Sequence, residues 1–206
     1  MSPNAAQKTT GLPSKKVLPP IFFFIGPPTH GKTTARKIFC ELTKMKGHSC
    51  SEVIYAHIAR HRGIPVAELM AEDKAALRPL LIEVGNYLCG DIGKLQLLDN
   101  PEKFEAVNYF RSPSALIRTL VMSGTEVIDG VRRRLELEEA KKHLAWMGRR
   151  VLVVWVETPG KPIIKDNTEL TANDADIQLI NDGSVADLRQ KIERWVAEMS
   201  KPPAES

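Results

Sequence analysis

The segment IFFFIGPPTHGKTT, residues 21–34, constrains the fold more than any other part of this chain. Five apolar residues (21–25) lead into the pattern G-x-x-x-x-G-K-[ST] over 26–33, and a helical run over 34–45 follows. A strand, a glycine loop and a helix in this order form a loop that turns its backbone N–H groups around a phosphate. The sequence therefore predicts a nucleotide-phosphate site on an α/β framework.

Each residue type in this loop has a physical reason. Glycine permits a tight turn and a close approach to the anion. Lys32 places a compact cation against the β- and γ-phosphates, and the Thr33 hydroxyl suits Mg²⁺. The helix adds its dipole and free N–H groups. His30 is expected to be a spacer, with a loop-shaping role or a phosphate contact left open. The residues predicted to bind the nucleotide in this loop are Gly26, Pro27, Pro28, Thr29, His30, Gly31, Lys32, Thr33 and Thr34.

Strands and helices alternate along the rest of the chain without hairpin signals, which favours a parallel sheet. The predicted strands are 21–25, 51–55, 126–130, 150–156 and 175–180. The predicted helices are 34–45, 56–61, 66–89, 115–122, 132–147 and 184–199, with a further helical region from Pro101 that has Tyr109 and Phe110 as core aromatics. We expect a single domain over 17–200.

Charge is concentrated at one end of the chain. The formal net charge is +4, and residues 1–20 carry Lys8, Lys15 and Lys16 with no carboxylate. The rest of the chain is nearly neutral, so a basic surface over the folded domain is not implied. We expect disordered tails over 1–16 and 201–206. The basic tail is either a solvated leader or a weak electrostatic arm for nucleic acid.

Other features of the sequence indicate an intracellular protein. No apolar stretch is as long as a membrane span, and the N-terminus lacks the apolar core of a signal peptide. Cys40, Cys50 and Cys89 show no CxxC pairing, which is typical of reduced, incidental thiols. We therefore expect a cytoplasmic protein with no membrane partner.

A second group of candidate residues follows the predicted strand at 126–130. Asp129 ends that strand, where it could hold Mg²⁺ through water or accept a proton from an acceptor hydroxyl; a turn or cap is the plainer alternative. Arg132 is the candidate for stabilising transition-state charge and binding the acceptor. Arg133 and Arg134 are expected on a solvated helix face, paired with Glu136, Glu138 or Glu139.

Arg78, in the helical stretch 66–89, is the other residue expected to bind the acceptor. The alternative is that Arg78 forms a salt bridge on the surface.

With these residues assembled, the chain resembles the small P-loop nucleotide kinases, particularly phage-type deoxynucleoside monophosphate kinases, over most of residues 21–199. The resemblance rests on GPPTHGKTT (26–34), KAALRPLLIEVGNYLC (74–89), EVIDGVRRRLELEEAK (126–141) and ADIQLINDGSVADLRQKI (175–192). It implies a three-layer P-loop NTPase fold with a five-stranded parallel sheet and an inserted helical acceptor-binding region. It also implies ATP with Mg²⁺, and the host cytoplasm for a phage protein. The sequence does not decide whether the protein forms a homodimer.

The resemblance further places the loop 181–184 against the adenine of ATP, through Asn181 and Gly183. Read from the residues alone, this loop is a turn in which Ser184 caps the last helix. Related kinases carry arginines in the lid between the last two strands, whereas 157–174 offers only Lys161 and Lys165 here.

The sequence does not decide which molecule accepts the phosphoryl group. Similar phage kinases phosphorylate the hydroxymethyl group of 5-hydroxymethyluracil in DNA, and the lysine tail suits a polymer slightly better than a free nucleotide. An alcohol acceptor needs a base, whereas a phosphate acceptor needs mainly cationic groups. A metabolite kinase of the dephospho-coenzyme-A-kinase type and a nucleotide-dependent switch are further alternatives.

Overall fold

The computed structural model describes residues 18–90, 95–104, 112–163 and 169–201. The strands are β1 Ile21–Ile25, β2 Gly47–Ser49, β3 Val127–Asp129, β4 Val151–Glu157 and β5 Ile177–Ile180. The helices are α1 Lys32–Thr43, α2 Cys50–Arg62, α3 Val66–Ala71, α4 Lys74–Leu88, α5 Ala115–Met122, α6 Arg134–Trp146 and α7 Val185–Met199, with short 3₁₀ turns at Pro101–Lys103 and Ala172–Asp174.

The strands form one five-stranded sheet in the order β2-β3-β1-β4-β5, and every neighbouring pair is parallel. All five residues of the central strand β1 are buried. A strand covered on both faces is apolar throughout rather than alternating, which explains the run IFFFI. The order and the glycine loop after β1 give a three-layer P-loop NTPase fold, as the sequence predicts.

Helices cover both faces of this sheet. On one face α1 and α7 enclose an aromatic cluster in which Phe39 stacks on Trp195 with ring centroids 4.9 Å apart, and Phe22 lies 4.7 Å from Phe39. On the other face α2, α4, α5 and α6 bury a larger apolar core that includes Phe23 and Ile128. The sheet is therefore the middle of three layers, with its carboxyl edge open between them.

The stretch between β2 and β3 is largely helical in the described residues and corresponds to the predicted insertion. Ser49 and Glu52 form a capping box that starts α2, and Gly63 ends the helix in a left-handed conformation. Asp73 caps the first turn of α4 by accepting a hydrogen bond from the Ala75 N–H at 2.9 Å. These caps fix where the helices beside the sheet begin.

One strand prediction is wrong. Residues 51–55 belong to α2, and the second strand is Gly47–Ser49 instead. Val53, Ile54 and Tyr55 are typical strand residues. However, the capping box at Ser49 starts a helix in which all three are buried. The local cap and tertiary burial outweigh the strand preference of these side chains.

The helix predicted over 66–89 is divided into α3 and α4, because Asp73 caps a new helix. Other predicted boundaries shift by a few residues. The helix predicted from 34 begins at Lys32, and the one predicted from 132 begins at Arg134. Tyr109, Phe110 and the tail 1–16 lie outside the described residues, as do 202–206. Among the described residues, no helix combines the length and the apolar character that a membrane crossing needs.

Candidate nucleotide and acceptor site

Both motif glycines of the P-loop are required by close packing. Gly26 has a φ of 138°, and a Cβ built there would lie 2.2 Å from the Val156 carbonyl oxygen. Gly31 has a φ of 95°, and its Cβ would lie 2.5 Å from Asn181 Nδ2. The loop therefore fits against β4 and the segment after β5, where only glycine has both the space and the backbone freedom.

The N-terminus of α1 is arranged for an anion. Gly31 is the N-cap, no side chain caps the helix, and its first turn contains no acidic residue. Lys32 Nζ donates to the Pro27 carbonyl oxygen at 2.5 Å, so its ammonium lies over the loop. Thr33 is exposed at the start of the helix. The helix dipole, the Lys32 cation and the Thr33 hydroxyl thus lie together at the loop, where their roles toward phosphate and Mg²⁺ stay a prediction.

The tip of the P-loop is attached to the segments that follow β4 and β5. His30 is only 1% exposed, and its Nδ1 accepts a hydrogen bond from the Thr158 N–H at 3.0 Å. The His30 carbonyl oxygen accepts from Asn181 Nδ2 at 3.1 Å and from Thr158 Oγ1 at 3.3 Å. Lys161 Nζ donates to the Thr29 carbonyl oxygen at 2.8 Å. His30 thus holds the loop in place, which agrees with the loop-shaping alternative and not with a spacer.

Asp129 ends β3 and is 1% exposed. Its Oδ2 accepts from Arg36 Nε at 3.2 Å, and Arg36 Nη2 also lies 3.5 Å from Glu52 Oε1. The other oxygen, Oδ1, is buried and has no hydrogen-bond partner in the described part of the chain. Arg36 is not among the residues predicted from the sequence, although its position one helical turn after Lys32 places it beside the loop.

Two oxygen ligands are available for Mg²⁺, the exposed Thr33 hydroxyl and the buried Oδ1 of Asp129. Hard oxygen atoms are the ligands that Mg²⁺ prefers, and it usually keeps several waters beside nucleotide phosphates. The unpartnered Oδ1 suits a contact to a metal-bound water. No cluster of three or more His, Cys, Asp or Glu side chains that could hold a metal occurs among the described residues. The residues present supply oxygen atoms of the kind that Mg²⁺ binds.

A cleft of about 720 Å³, including its open mouth, lies beside the carboxyl end of β3. It brings together Arg78 and Arg132, which the sequence analysis assigned to the acceptor, and adds Lys74 and Arg133. The apolar walls of the cleft come from α2, α4 and α5, through Ile54, Leu81 and Leu116. Asn86 and Gly130 also line the cleft.

Glu136 organises the arginines of this cleft. Its Oε2 accepts from the Arg132 N–H at 3.0 Å and from the Arg133 N–H at 3.2 Å, and its Oε1 accepts from Arg133 Nε at 2.9 Å. The expected pairing of Arg133 with Glu136 is present, although Arg133 lines the cleft instead of a solvated face. Arg134 is exposed and pairs with Asp174.

Two thiols line the same cleft, Cys50 and Cys89. Burial raises the pKa of Cys50 well above its ordinary value and raises the pKa of Cys89 to about 12. Both are therefore neutral thiols at neutral pH. Their spacing in the sequence predicts incidental thiols, because spacing alone does not reveal that two thiols line one cleft.

The loop 181–184 packs beside the P-loop through its first residue. Asn181 donates its N–H to the Glu157 carbonyl oxygen at 2.7 Å and its side chain to His30. Ser184 caps α7 in a capping box with Asp187, as the residues alone predict. Gly183 lies at this cap, where an added Cβ would be 2.6 Å from Asp187 Oδ2.

No protein-family model matches this chain, and no curated protein matches it. Among solved structures, it is similar to shikimate kinase from Aquifex aeolicus, with 14% identity, 89% of this chain and 98% of that chain covered, and a TM-score of 0.42. The APS kinase CysC of Mycobacterium tuberculosis in complex with AMPPNP and APS gives 13% identity, 87% and 99% coverage, and a TM-score of 0.44.

A gluconokinase from Sinorhizobium meliloti gives 10% identity, 88% and 94% coverage, and a TM-score of 0.42. At these identities and TM-scores, the similarities carry no information about what this chain binds or phosphorylates. The fold assignment is supported by the strand order and by the P-loop residues of the chain itself.

Proposed function

We propose that this protein is an ATP-dependent kinase that transfers the γ-phosphoryl group to a deoxynucleotide-type acceptor. The observation that carries the proposal is the cleft that contains Arg78 and Arg132, next to the carboxyl end of β3. Because β3 pairs with β1, this cleft and the P-loop open at the same edge of the sheet. Donor and acceptor sites at one edge suit transfer between two bound substrates.

The roles proposed for individual residues follow from this arrangement. Lys32 neutralises the β- and γ-phosphates, and Arg132 stabilises charge on the phosphoryl group in the transition state. Arg78 binds and orients the acceptor in the cleft. Mg²⁺, bound at Thr33 and through water at Asp129, would neutralise charge on the nucleotide phosphates. The acceptor oxygen forms the new P–O bond as the bond to the leaving ADP breaks.

The charges of the cleft favour an anionic acceptor. Lys74, Arg78, Arg132 and Arg133 are cationic, whereas Glu136 is the one carboxylate among the described lining residues. Its oxygens already accept N–H groups of the neighbouring arginines. A hydroxyl acceptor needs a base, and a phosphate acceptor does not. Asp129, the candidate base, is buried and paired with Arg36. We therefore favour a free deoxynucleoside monophosphate over the hydroxymethyl group of 5-hydroxymethyluracil in DNA.

The test uses γ-labelled ATP in parallel reactions with mixed deoxynucleoside monophosphates, hydroxymethyluracil-containing duplex DNA, and dephospho-coenzyme A. We expect label to appear in deoxynucleoside diphosphates, and we expect Lys32→Ala to abolish the transfer. Label on the DNA would make the protein a DNA-base kinase and would give the basic tail a role. Label released only as inorganic phosphate would indicate a nucleotide switch and would contradict the proposal.

A further inference from the structure

The edge of the sheet opposite the P-loop is basic. Four neighbouring strands start at this edge, and the loops that precede them are 44–46, 122–126, 18–20 and 146–150. Their cations are Lys44, Lys46, Arg149 and Arg150, and their one carboxylate is Glu126. Cations are thus gathered here, although the chain after residue 20 is nearly neutral in sum. We propose that this basic edge binds single-stranded nucleic acid.

Direct contacts hold the four loops together. Lys46 Nζ donates to the Ser123 carbonyl oxygen at 2.7 Å, and the Lys46 carbonyl oxygen accepts from the Glu126 N–H at 2.8 Å. Arg149 Nη2 donates to the Pro19 carbonyl oxygen at 3.0 Å and lies 3.9 Å from Glu126 Oε1. The loops therefore form one continuous surface, on which the one carboxylate lies beside an arginine.

The exposed cations of the basic edge form a row. Lys44, Lys46 and Arg150 are exposed to solvent. Lys46 directly precedes β2, and Arg150 directly precedes β4, which lies three strands away in the order β2-β3-β1-β4. Neighbouring strands are about 4.8 Å apart, so the backbones at these two residues are about 14 Å apart. A row of separated cations suits the repeated phosphates of a polynucleotide backbone.

An exposed aromatic ring accompanies this row. Trp146 is 83% exposed and lies four residues before Arg150. Its ring stacks on that of His143, with centroids 6.3 Å apart and an angle of 24° between the ring planes, and this contact orients it. The bases of a single strand stack on exposed aromatic rings, whereas the bases of a duplex are already stacked on one another. Trp146 therefore favours a single strand.

The basic N-terminal segment of the sequence joins the fold at this same edge. Arg149 holds the Pro19 carbonyl oxygen, and Leu18 is exposed beside it. Lys16 is two residues before Leu18, so its Cα is within about 7.6 Å of the Leu18 Cα. Lys15 is one residue further along the chain. These lysines add positive charge to the basic edge, and the proposed kinase reaction does not use them.

A linear polyanion suits the basic edge better than an anionic membrane does. Helices that bind membrane surfaces present a continuous apolar face. Here the exposed apolar side chains Leu18, Met122 and Met147 come from three separate loops. The polymer would also lie away from the nucleotide, because the P-loop follows the other end of β1, whose five residues span about 17 Å. Binding at this edge is therefore independent of the proposed function.

The experiment measures binding of a fluorescent oligothymidylate of about 20 nucleotides, longer than common single-strand sites, to the full chain by anisotropy at several salt concentrations. We expect Trp146→Ala to weaken binding by about ten-fold or more and Trp146→Phe to retain most of the affinity. The double variant Lys46→Gln/Arg150→Gln should reduce the slope of log K against log salt by about 1.4, because each phosphate contact contributes about 0.7. Lys37→Gln/Arg189→Gln, which removes two surface cations from α1 and α7, is the charge-matched control and should match the parent protein.

Replacement of both Lys15 and Lys16 with Gln in the full chain should reduce the salt slope in the same direction. The proposal is overturned if the parent protein does not bind oligothymidylate at low salt, or if Trp146→Ala binds it as tightly as the parent protein does. Preferential binding to phosphatidylserine vesicles would assign the edge to a membrane, and a dimer that depends on Trp146 without bound oligonucleotide would assign it to a second copy; either result overturns the proposal. ATP affinity, measured by calorimetry, should be the same in all variants, and a parallel loss of ATP and oligothymidylate binding would contradict a separate site.

Discussion

Arg36 and Asp129 form a buried ion pair with an Nε–Oδ2 distance of 3.2 Å, and their side chains are only 6% and 2% exposed. The pair links the helix that follows the P-loop to the strand that ends at the acceptor cleft. A buried charge without a partner is costly, so each residue requires the other. The contact therefore fixes α1 relative to β3 and holds the Asp129 carboxylate in one orientation.

Replacement of Arg36 with Met should lower the free energy of unfolding by about 3 kcal/mol or more, because it leaves the Asp129 charge buried and uncompensated. Arg189, which pairs with Glu41 on the surface, is the matched control. Arg189→Met should cost about 1 kcal/mol or less, as exposed ion pairs do. Urea denaturation measures both values. Equal losses in the two variants would contradict a special role for the buried pair.

Replacement of Gly31 with Ala should weaken nucleotide binding by at least about ten-fold while the protein remains folded. The new Cβ would lie 2.5 Å from Asn181 Nδ2 at a φ of 95°, so the Asn181 side chain must leave its contact with His30 and the backbone of the loop is strained. Gly148→Ala is the control, because its φ is also positive, at 71°, but nothing lies within 4 Å of the added Cβ. Calorimetric titration with ATP compares the two. Normal ATP affinity in Gly31→Ala would show that the close packing is not needed.

The raised pKa of Cys89 predicts a loss of stability at alkaline pH. Burial raises this pKa from 9.0 to about 12, so the unfolded chain releases a proton that the folded protein still holds. The resulting stabilisation is complete below pH 9 and is lost as pH rises from 9 towards 12. Each pH unit in this window should cost the parent protein up to about 1.4 kcal/mol more than Cys89→Ala.

Urea denaturation of the parent protein and Cys89→Ala at pH 8 and at several alkaline pH values gives the comparison. Parallel stability curves for the two proteins throughout the alkaline range would contradict the assignment of a buried neutral thiol.

Replacement of Glu136 with Ala should lower kcat and raise the KM for the acceptor, together by about ten-fold in kcat/KM, since the carboxylate fixes Arg132 and Arg133 at the cleft wall. ATP affinity should not change, because these contacts lie on the acceptor side. Glu138→Ala, at an exposed position on the same helix, is the control. Steady-state kinetics with each substrate varied in turn separates the two effects. A matching loss of ATP affinity would point to a general disturbance of the fold instead.

Local patterns explain why much of the fold could be predicted from the sequence. The prediction of a helix over 115–122 is confirmed at its observed bounds, because Ser112-Pro113-Ser114 marks its start and apolar spacing marks its length. The prediction of the second strand is wrong, because Gly47–Ser49 has only three residues and lacks a strand composition. Short edge strands of this kind depend on pairing with β3, which is a tertiary contact.

The candidate site was predictable only in part, for the same reason. The P-loop is contiguous, so its residues were identified together. Arg36 looks like an ordinary helical surface residue until β3 is placed against α1, since its partner lies 93 positions away. Arg133 and Glu136 line the cleft, but this can be predicted only once the strand order and the start of α6 at Arg134 are known. Side chains that act across elements therefore require the structure.

The three tryptophans lie in environments so different that they provide separate optical reporters. Trp146 is 83% exposed and should be quenched readily by an aqueous quencher, whereas Trp155 is 5% exposed and should be protected. Trp195 stacks on Phe39 of the helix that follows the phosphate loop. Emission from single-tryptophan variants would therefore distinguish events on the open surface, within the sheet, and between the first and last helices.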